Sequence, residues 1–396
     1  MSLVRVKSQF CHGISQYDRC SPNSACACFY IAGAIDIGIC SDEFVDCSEL
    51  VTCEQPDNLC HEPKHRCVHH PRCRNLPVCY PVSSFNRQLC PPIAMIPNIP
   101  VNARWTQNGV TVAGGHGRGN GTNQLYRPLG LFVDDDETMV IADFENHRMM
   151  QWKMGDTNGQ VVAGGKGLGY RLDQFNFPSD VLIDRETNSL IICDNDRVVR
   201  WSRHSGTTQG EILIKGTSCA GLVLDNQRHL YIAAMSRAEV RRYRIGDNNG
   251  TIVAGGNDWG SGLHQLNTPS RIYVDEQEAV YVSDSENHRV MKWNKGAKEG
   301  IVVAGGQGKG NSLTQLSNPW GLFVDTLGTI YIADRNNHRV MRWIKGAIQG
   351  TVIVGGNGDG EGANQLDRPI GLSFDRHGNI YVADQYNNRI QRFSIE

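Results

Sequence analysis

Three Asn-His-Arg triplets contain the residues whose type and spacing could bind a metal or transfer protons. Their histidines are His147, His288 and His338, and an imidazole can ligate zinc or act as a general acid or base. A fourth copy of the triplet has Asn388 in place of the histidine. A side chain that one copy exchanges for Asn is typical of a hydrogen-bonding turn residue. We therefore predict structural histidines rather than metal ligands.

Glycine-rich stretches are the second feature that could do chemistry, because such stretches can hold phosphate groups. They occupy residues 114–121, 164–169, 305–310 and 355–362. A phosphate-binding loop opens a helix, whose first backbone N–H groups bind the anion. These stretches lead instead into segments that are predicted to be strands. We therefore predict glycine turns that carry the chain from one strand to the next.

Both features belong to a repeat of about 50 residues, a period that is typical of arrays of identical structural units. An Asp closes one segment of each unit, and one copy has Ala234 in its place. The five aspartates are Asp143, Asp194, Asp284, Asp334 and Asp384. Six units therefore fill residues 101–396. We predict a propeller domain over 101–396 and a separate domain over 1–100.

Each unit contains four short runs that are rich in Val, Ile, Tyr and Trp and are bounded by Gly, Asn or Asp. Such runs predict strands, and no helical period competes with them. Radial packing of six four-stranded sheets buries both faces of each sheet. The last unit stops after its third strand, and residues 109–115 supply an isolated fourth strand. The fold prediction is all-β: a six-bladed β-propeller that is closed by an N-terminal strand.

The motif D-x-x-N-H-R occurs at residues 143–148, 284–289 and 334–339, and DQYNNR follows at 384–389. With this motif and the tandem spacing, the chain resembles the NHL-repeat family. The resemblance covers about three quarters of the chain. It implies a six-bladed propeller of a kind that mostly binds protein or RNA. Some NHL propellers are joined to zinc-binding RING and B-box modules and act as ubiquitin ligases, which gives one alternative function.

The axial mouth of the propeller is where enzymes that resemble this family place their chemistry. The amidating lyases hold zinc with axial histidines, and lactonase-type propellers hold calcium with axial Asn, Asp and Glu. Here the residues at that position, after the repeat proline or its equivalent, are Leu129, Ser179, Ala220, Ser270, Trp320 and Ile370. Neither ligand pattern is matched. We therefore predict a non-catalytic protein without a cofactor or metal, with a metal-dependent lyase or lactonase as the alternative.

The N-terminal segment is rich in cysteine, as small disulfide-stabilised domains are. Its twelve candidates for disulfide bonds are Cys11, Cys20, Cys26, Cys28, Cys40, Cys47, Cys53, Cys60, Cys67, Cys73, Cys79 and Cys90. Zinc binding is the alternative, because five histidines lie in the same segment. Zinc modules need cysteine pairs with two residues between them, as in C-x-x-C, and this sequence has none. The spacing therefore favours a disulfide-rich domain.

The formal net charge of −2 gives no long-range attraction to nucleic acid or to an anionic membrane. RNA binding is accordingly only an alternative function. No apolar segment is long enough to cross a membrane as a helix. The cysteines, together with glycosylation candidates at Asn120 and Asn249, favour an extracellular or cell-surface location. The first residues lack the apolar core of a signal peptide, so a cytoplasmic location is the alternative.

The repeat is irregular in blades two and three. These copies depart most from the common pattern, so any binding specificity is expected there first. Blade two shortens its turn to DNDR (194–197), the glycine-rich loop before blade three is missing, and blade three reads AAMSRAEVRRY (233–243). We predict a notch in one face of the ring at this place. The candidate binding residues around it are Tyr170, Arg197, Arg237 and Trp259.

Further irregular residues lie near the axis and beside the missing loop. Asp180 and Arg271 replace the glycine that other blades have near the axis, which predicts either a polar site or a structural ion pair. Cys193 and Cys219 flank the short connection and are candidates for a disulfide bond between blades. The predicted function is recognition of a protein or glycan partner by the loops of a monomeric propeller.

Overall fold

The structure is a computed structural model. It describes residues 10–12, 26–30, 32, 37–42, 50–54, 59–60, 65–70, 73, 77–81, 99–134, 136–247 and 249–396. The chain divides into two compact units, Met1–Met95 and Ile96–Glu396.

The described residues of the first unit form two small antiparallel sheets. One has the order β1-β3-β2 and the other the order β4-β6-β5. The six strands are β1 (Phe10–His12), β2 (Cys26–Tyr30), β3 (Ile37–Asp42), β4 (Val51–Thr52), β5 (His65–His69) and β6 (Pro77–Pro81). Each strand is short, so the unit depends on covalent links between strands as well as on its hydrogen bonds.

Disulfide bonds join the second sheet of this unit to its loops. Cys53 is bonded to Cys67, and Cys60 to Cys79. The Sγ atoms of Cys53, Cys60 and Cys79 lie within 4.8 Å of one another because the two disulfides are neighbours, and bonded sulfurs are not the thiolates that bind zinc. Two further cysteines are disulfide-bonded, Cys28 and Cys73. Six other candidates lie outside the residues or side chains that the structure describes: Cys11, Cys20, Cys26, Cys40, Cys47 and Cys90.

The second unit is a six-bladed propeller. Strand β7 (Val110–Gly114) comes before blade one in the chain but belongs to blade six. Blade one has β8 (Pro128–Val133), β9 (Met139–Asp143), β10 (Arg148–Trp152) and β11 (Gln160–Gly164). Blade two has β12 (Pro178–Asp184), β13 (Ser189–Asp194), β14 (Arg197–Ser202) and β15 (Glu211–Lys215). Blade three has β16 (Cys219–Leu224), β17 (His229–Ala234), β18 (Glu239–Arg244) and β19 (Thr251–Gly255).

The remaining blades follow the same order. Blade four has β20 (Pro269–Val274), β21 (Val280–Asp284), β22 (Arg289–Trp293) and β23 (Ile301–Gly305). Blade five has β24 (Pro319–Val324), β25 (Ile330–Asp334), β26 (Arg339–Trp343) and β27 (Thr351–Gly355). Blade six has β28 (Pro369–Phe374), β29 (Ile380–Asp384) and β30 (Arg389–Phe393). Short 3₁₀ turns join the second and third strands at Phe144–Asn146, Met235–Arg237, Ser285–Asn287 and Arg335–Asn337.

The blades close into a ring. The first strand of each blade contacts the first strands of both neighbouring blades, and β28 contacts β8. Strand β7 supplies the fourth strand of blade six by pairing antiparallel with β30. The predicted all-β, six-bladed propeller closed by an N-terminal strand is therefore confirmed.

The residues before β7 strengthen this closure. Trp105 is 2% exposed, and its Nε1 donates to the carbonyl oxygen of Gly378 at 2.9 Å. Its ring packs edge-on against Tyr331 and Phe374, with centroid distances of 6.0 and 6.5 Å. The N-terminal part of the propeller is thus anchored to blades five and six by a buried side chain as well as by strand pairing.

The D-x-x-N-H-R motif joins each turn to the glycine-rich loop beside it. In blade five, Asp334 accepts hydrogen bonds from the Ser317 backbone N–H at 2.7 Å, Asn337 Nδ2 at 2.7 Å and Arg339 Nε at 2.8 Å. The Nη atoms of Arg339 donate to three loop carbonyls, those of residues 311, 312 and 315. Blades one, four and six repeat this arrangement. The repeated Asp and Arg are therefore buried parts of the scaffold.

The histidines of the motif link neighbouring blades. His147, His288 and His338 each accept a hydrogen bond at Nδ1 from a backbone N–H of the following blade, at 3.3, 3.2 and 3.4 Å. Asn388 Oδ1 does the same for Arg127 N–H at 3.0 Å. One acceptor atom serves the same purpose in both residue types, which explains why Asn can replace His.

The glycine-rich stretches are turns rather than openings of helices. Gly305 and Gly306 have φ angles of +66° and +79°, and the chain then runs through a loop into β24 without forming a helix. A Cβ atom at Gly305 would lie 2.6 Å from the carbonyl oxygen of His288. Positive φ and this close approach explain the glycine.

Cys193 and Cys219 form a disulfide bond that closes a loop of 26 residues. Cys193 belongs to β13 in blade two and Cys219 opens β16 in blade three. The bond therefore links adjacent blades beside the shortest connection between them. Both residues are buried, at 0% and 5% exposure, so a reductant reaches them only when this part of the ring opens.

Removing this disulfide is expected to destabilise the propeller. Replacing Cys193 and Cys219 together by Ala should lower the free energy of unfolding by about 2 to 4 kcal/mol, because the unfolded chain gains conformational freedom. The shift of the denaturant midpoint measures the loss. An unchanged midpoint, or two free thiols in unreduced peptide maps of the natural protein, would contradict the prediction.

Candidate functional site: a notch in the loop face

The glycine-rich loops and the turns after the repeat Asp share one face of the propeller. Their proximity follows from the hydrogen bonds of the motif, since Arg148 Nη1 donates to the carbonyl oxygen of Asn120 at 2.8 Å and Arg389 Nη1 to that of Glu361 at 2.9 Å. We call this side the loop face. The loops that join the first strand to the second and the third to the fourth lie on the opposite face, because strands alternate in direction.

The loop face is interrupted between blades two and three. Residues 165–177 and 256–268 form the connecting loops on either side, whereas residues 216–218 alone join β15 to β16. The floor of this gap is made of small polar groups, with Ser218 Oγ 2.6 Å from Ser236 Oγ. We call the gap, with the two flanking loops and the turn of blade three, the notch.

Exposed apolar side chains form the rim of the notch. The loop on one side carries Leu168 and Tyr170, which are 55% and 59% exposed, and the loop on the other side carries Trp259 and Leu263, which are 50% and 46% exposed. The residues equivalent to Leu168 and Trp259 in the three other long loops are all charged: Arg118, Lys309 and Asp359. At this loop position, apolar side chains therefore occur only in the two loops beside the gap.

Hydrogen bonds hold the rim loops in place. Asn176 Nδ2 donates to Tyr170 Oη at 2.5 Å. In the opposite loop, Gln265 Nε2 donates to the Asn257 carbonyl oxygen at 2.9 Å, and Trp259 forms a backbone bridge with Leu266. The aromatic residues are thus presented by ordered loops, which reduces the entropy that binding must overcome.

Arg237 lies at the edge of the notch, as the sequence predicts, but Arg197 does not. Arg237 is exposed, and its Nη2 donates to the Gly216 carbonyl oxygen at 2.9 Å. Arg197 is 4% exposed, and its Nε pairs with Asp194 Oδ2 at 2.6 Å. Its Nη atoms donate to loop carbonyls, so Arg197 has the same structural role as the repeat Arg of other blades. Arg197 is therefore not part of the exposed binding surface.

Asp180 and Arg271 form a buried ion pair, so they too do not belong to the exposed binding surface. Arg271 Nη2 lies 3.4 Å from Asp180 Oδ1, and their residues are 7% and 8% exposed. Asp180 Oδ2 accepts from the Leu222 N–H at 3.1 Å, so the pair connects blades two, three and four. Burial raises the pKa of Asp180 and lowers the pKa of Arg271. Of the two predictions for these residues, a polar site or a structural ion pair, the geometry supports the ion pair.

A second group of side chains on the loop face was missed by the sequence reasoning. We call this group the Arg–aromatic cluster. The Cζ atoms of Arg127 and Arg368 lie 5.1 and 4.5 Å from the ring centroid of Tyr386. The Cζ atom of Arg335 lies 5.7 Å from the ring centroid of Trp320. These five residues come from blades five and six and the loop before blade one. They occupy positions that change from repeat to repeat between constant neighbours, which is the signal that could have identified them.

A family model for the NHL repeat matches the propeller at three positions. The matches cover residues 266–293, 316–342 and 366–393. The propeller contains NHL repeats. The matched segments contain the first three strands of blades four and six and nearly all of those of blade five.

Solved structures share the fold of this NHL propeller. An auxiliary nutrient binding protein from Bacteroides thetaiotaomicron has a TM-score of 0.57 and 16% identity over 74% of this chain and 77% of that chain. A structural genomics protein of unknown function from the same organism has a TM-score of 0.60 and 15% identity over 96% and 100%. The PQQ-bound aldose sugar dehydrogenase of Streptomyces coelicolor has a TM-score of 0.53 and 12% identity over 75% of this chain and 100% of that chain. These identities show a common fold alone, and no curated protein sequence matches this chain.

The glycosylation candidates of the NHL propeller are accessible. Asn120 and Asn249 are both exposed and lie outside strands, as an acceptor site requires, and their modification remains a prediction. Among the described residues, no helix has the length and apolar character needed to cross a membrane.

Proposed function

We propose that the propeller is a non-catalytic recognition module that binds a protein partner in the notch. The observation that supports this most is the apolar rim around the missing loop, where Tyr170 and Trp259 are half-exposed on ordered loops. Large aromatic side chains and arginines are the residues that contribute most binding energy in protein interfaces. Arg237 adds a guanidinium at the edge of the same surface.

A protein partner suits the notch better than a glycan. Exposed Leu168 and Leu263 extend the rim beyond its aromatic residues, and aliphatic side chains offer a sugar few hydrogen-bonding groups. The rigid floor and ordered loops require little rearrangement on binding, so a protruding apolar segment of a partner can be buried at low entropic cost.

We further propose an extracellular or cell-surface setting and a separate domain over residues 1–100. The disulfide bonds in both units support the setting, because such bonds persist in oxidising compartments. The accessible Asn120 and Asn249 are consistent with it. Residues 1–100 would tether the propeller or add a second contact.

The proposal is tested with the full chain as an affinity bait. Partner proteins captured by the natural protein are identified, and their dissociation constants are then compared with those of the Tyr170→Ala/Trp259→Ala double variant. Each substitution is expected to remove about 2 kcal/mol of binding energy at a hot spot, so the affinity of the double variant should fall by roughly 1,000-fold.

The matched control is Leu313→Ala, because Leu313 has the position of Leu263 in a loop that does not flank the notch and is 40% exposed. It should leave affinity unchanged. Unaltered binding by the double variant, with an unchanged melting temperature, would contradict the proposed site.

A further inference from the structure

The Arg–aromatic cluster concentrates three guanidinium groups, of which one forms an ion pair among the described residues. Arg127 pairs with Glu145, with 3.2 Å between Nη1 and Oε1. Neither Arg335 nor Arg368 forms an ion pair with a carboxylate in the part of the chain that the structure describes. Arg368 Nη1 donates instead to the Tyr386 hydroxyl oxygen at 2.9 Å, which fixes its guanidinium over the ring.

Arg335 is held in an unfavourable position for a cation. Burial above all, and then the positive charge of Arg368, lower its pKa, and the carboxylates of Asp367 and Glu286 offset this only in part. Its Nη atoms make only long contacts, 3.3 Å to Asn336 Oδ1 and 3.5 Å to Gln385 Oε1. Its Nε and the Nε1 of Trp320 are buried, and neither has a hydrogen-bond partner among the described residues. Buried donors without acceptors are costly, and an acceptor-bearing ligand would remove that cost.

A polar cleft adjoins the cluster between blades five and six. It has a volume of about 620 Å³, and its walls include Arg368, Lys309, Asn311, Asn336 and His338. The remaining wall residues are Gly310, Ser317 and Asn337, so no apolar side chain lines it. Lys309 and Asn311 are exposed. The cleft therefore offers amide and cationic donors beside Arg335 and Arg368, the two arginines of the cluster that form no ion pair among the described residues.

We propose that this cleft binds a saccharide that carries a carboxylate, such as a uronic acid, in addition to the protein partner of the notch. The carboxylate lies between Arg335 and Arg368, whose planar guanidinium groups match its two oxygens. The amides of Asn311 and Asn336 exchange hydrogen bonds with sugar hydroxyls, and Lys309 supports the negative charge. Tyr386 is a positioning residue that orients Arg127 and Arg368.

The geometry favours a sugar over other anionic ligands. RNA binding depends on stacking of bases on aromatic faces, but guanidinium groups already cover Tyr386. The neighbouring loop carries Asp359 and Glu361, both exposed, which repel a polyanion more than a ligand with isolated acid groups. An acidic peptide would gain most from apolar anchors, and the cleft has none.

Isothermal titration calorimetry of the full chain tests this site. The probes are a tetrasaccharide of alternating glucuronate and N-acetylglucosamine, neutral chitotetraose, a triglutamate peptide, a short single-stranded RNA and sodium sulfate at matched ionic strength. The natural protein should bind the glucuronate tetrasaccharide at least tenfold more tightly than every other probe. Arg335→Gln and Arg368→Gln should each weaken that binding by roughly 10- to 100-fold, because each removes a charge-assisted hydrogen bond.

Arg118→Gln is the matched control for charge, since Arg118 is exposed on the same face and belongs neither to the cleft nor to the notch. This variant should bind as the natural protein does. The inference is overturned if the peptide, the RNA or sulfate binds as tightly as the glucuronate probe, if no probe binds, or if both Arg variants keep their affinity and melting temperature. None of these results affects the notch, whose test uses different variants and a protein ligand.

Discussion

Deletion of residues 101–115 is expected to lower the melting temperature of the propeller by more than roughly 10 °C. The deletion removes β7 from blade six and leaves the edge of β30 unpaired. It also removes Trp105, which is 2% exposed. Loss of a buried Trp alone costs about 3 to 5 kcal/mol, and each kcal/mol corresponds to about 2 to 4 °C in a large domain.

Two further variants separate closure of the ring from chain length. Replacing residues 101–115 by a Gly/Ser segment of equal length should be as destabilising as the deletion, because the segment contributes through pairing and burial. Trp105→Ala should give an intermediate loss. A deletion variant with an unchanged melting curve would show that β7 does not close the ring.

The second large effect is expected from the Asp of the repeat motif. Asp334 is fully buried, and its Oδ2 lies 2.8 Å from Arg339 Nε. Asp334→Ala leaves that guanidinium buried without its carboxylate, which costs about 3 to 5 kcal/mol. Thermal and denaturant unfolding of the variant measure the loss. Asp359→Ala is the control, since Asp359 is exposed and should change stability by less than about 0.5 kcal/mol.

Blade three indicates that the two charges act as a unit. It has Ala234 in place of the Asp, and Glu239 stands in place of the Arg and pairs with Arg241 at 2.6 Å. Accordingly, the loss of stability in Asp334→Ala/Arg339→Ala should be smaller than the sum of the losses in the two single variants. Strictly additive losses would argue against a coupled buried pair.

The period and strand pattern were sufficient to predict the propeller, because the phase of the repeat at both ends determines which strand completes blade six. The role of Arg197 was not predictable from spacing alone. Blade two joins β13 to β14 by a two-residue turn, yet Asp194 still faces Arg197 across the strand pair just as Asp334 faces Arg339 in blade five. The shorter turn preserves the register that matters, although the sequence spacing changes.

Contacts between distant blades could not be predicted from the sequence either. Asp180 and Arg271 come from blades two and four, and their pairing requires side chains that meet near the axis across blade three. The stacking of Arg127 on Tyr386 joins residues at opposite ends of the propeller sequence. Ring closure brings such pairs together, so a repeat pattern shows that these positions vary and not what they contact.

Hydrogen–deuterium exchange of the full chain, with and without the captured protein partner, tests the central proposal most directly. Binding in the notch should slow amide exchange in residues 165–177, 216–218, 235–237 and 256–268, which form its rim and floor. Exchange in the turns at 325–329 and 375–379, on the opposite face, should not change. Protection confined to those opposite turns, with the notch unaffected, would contradict the account.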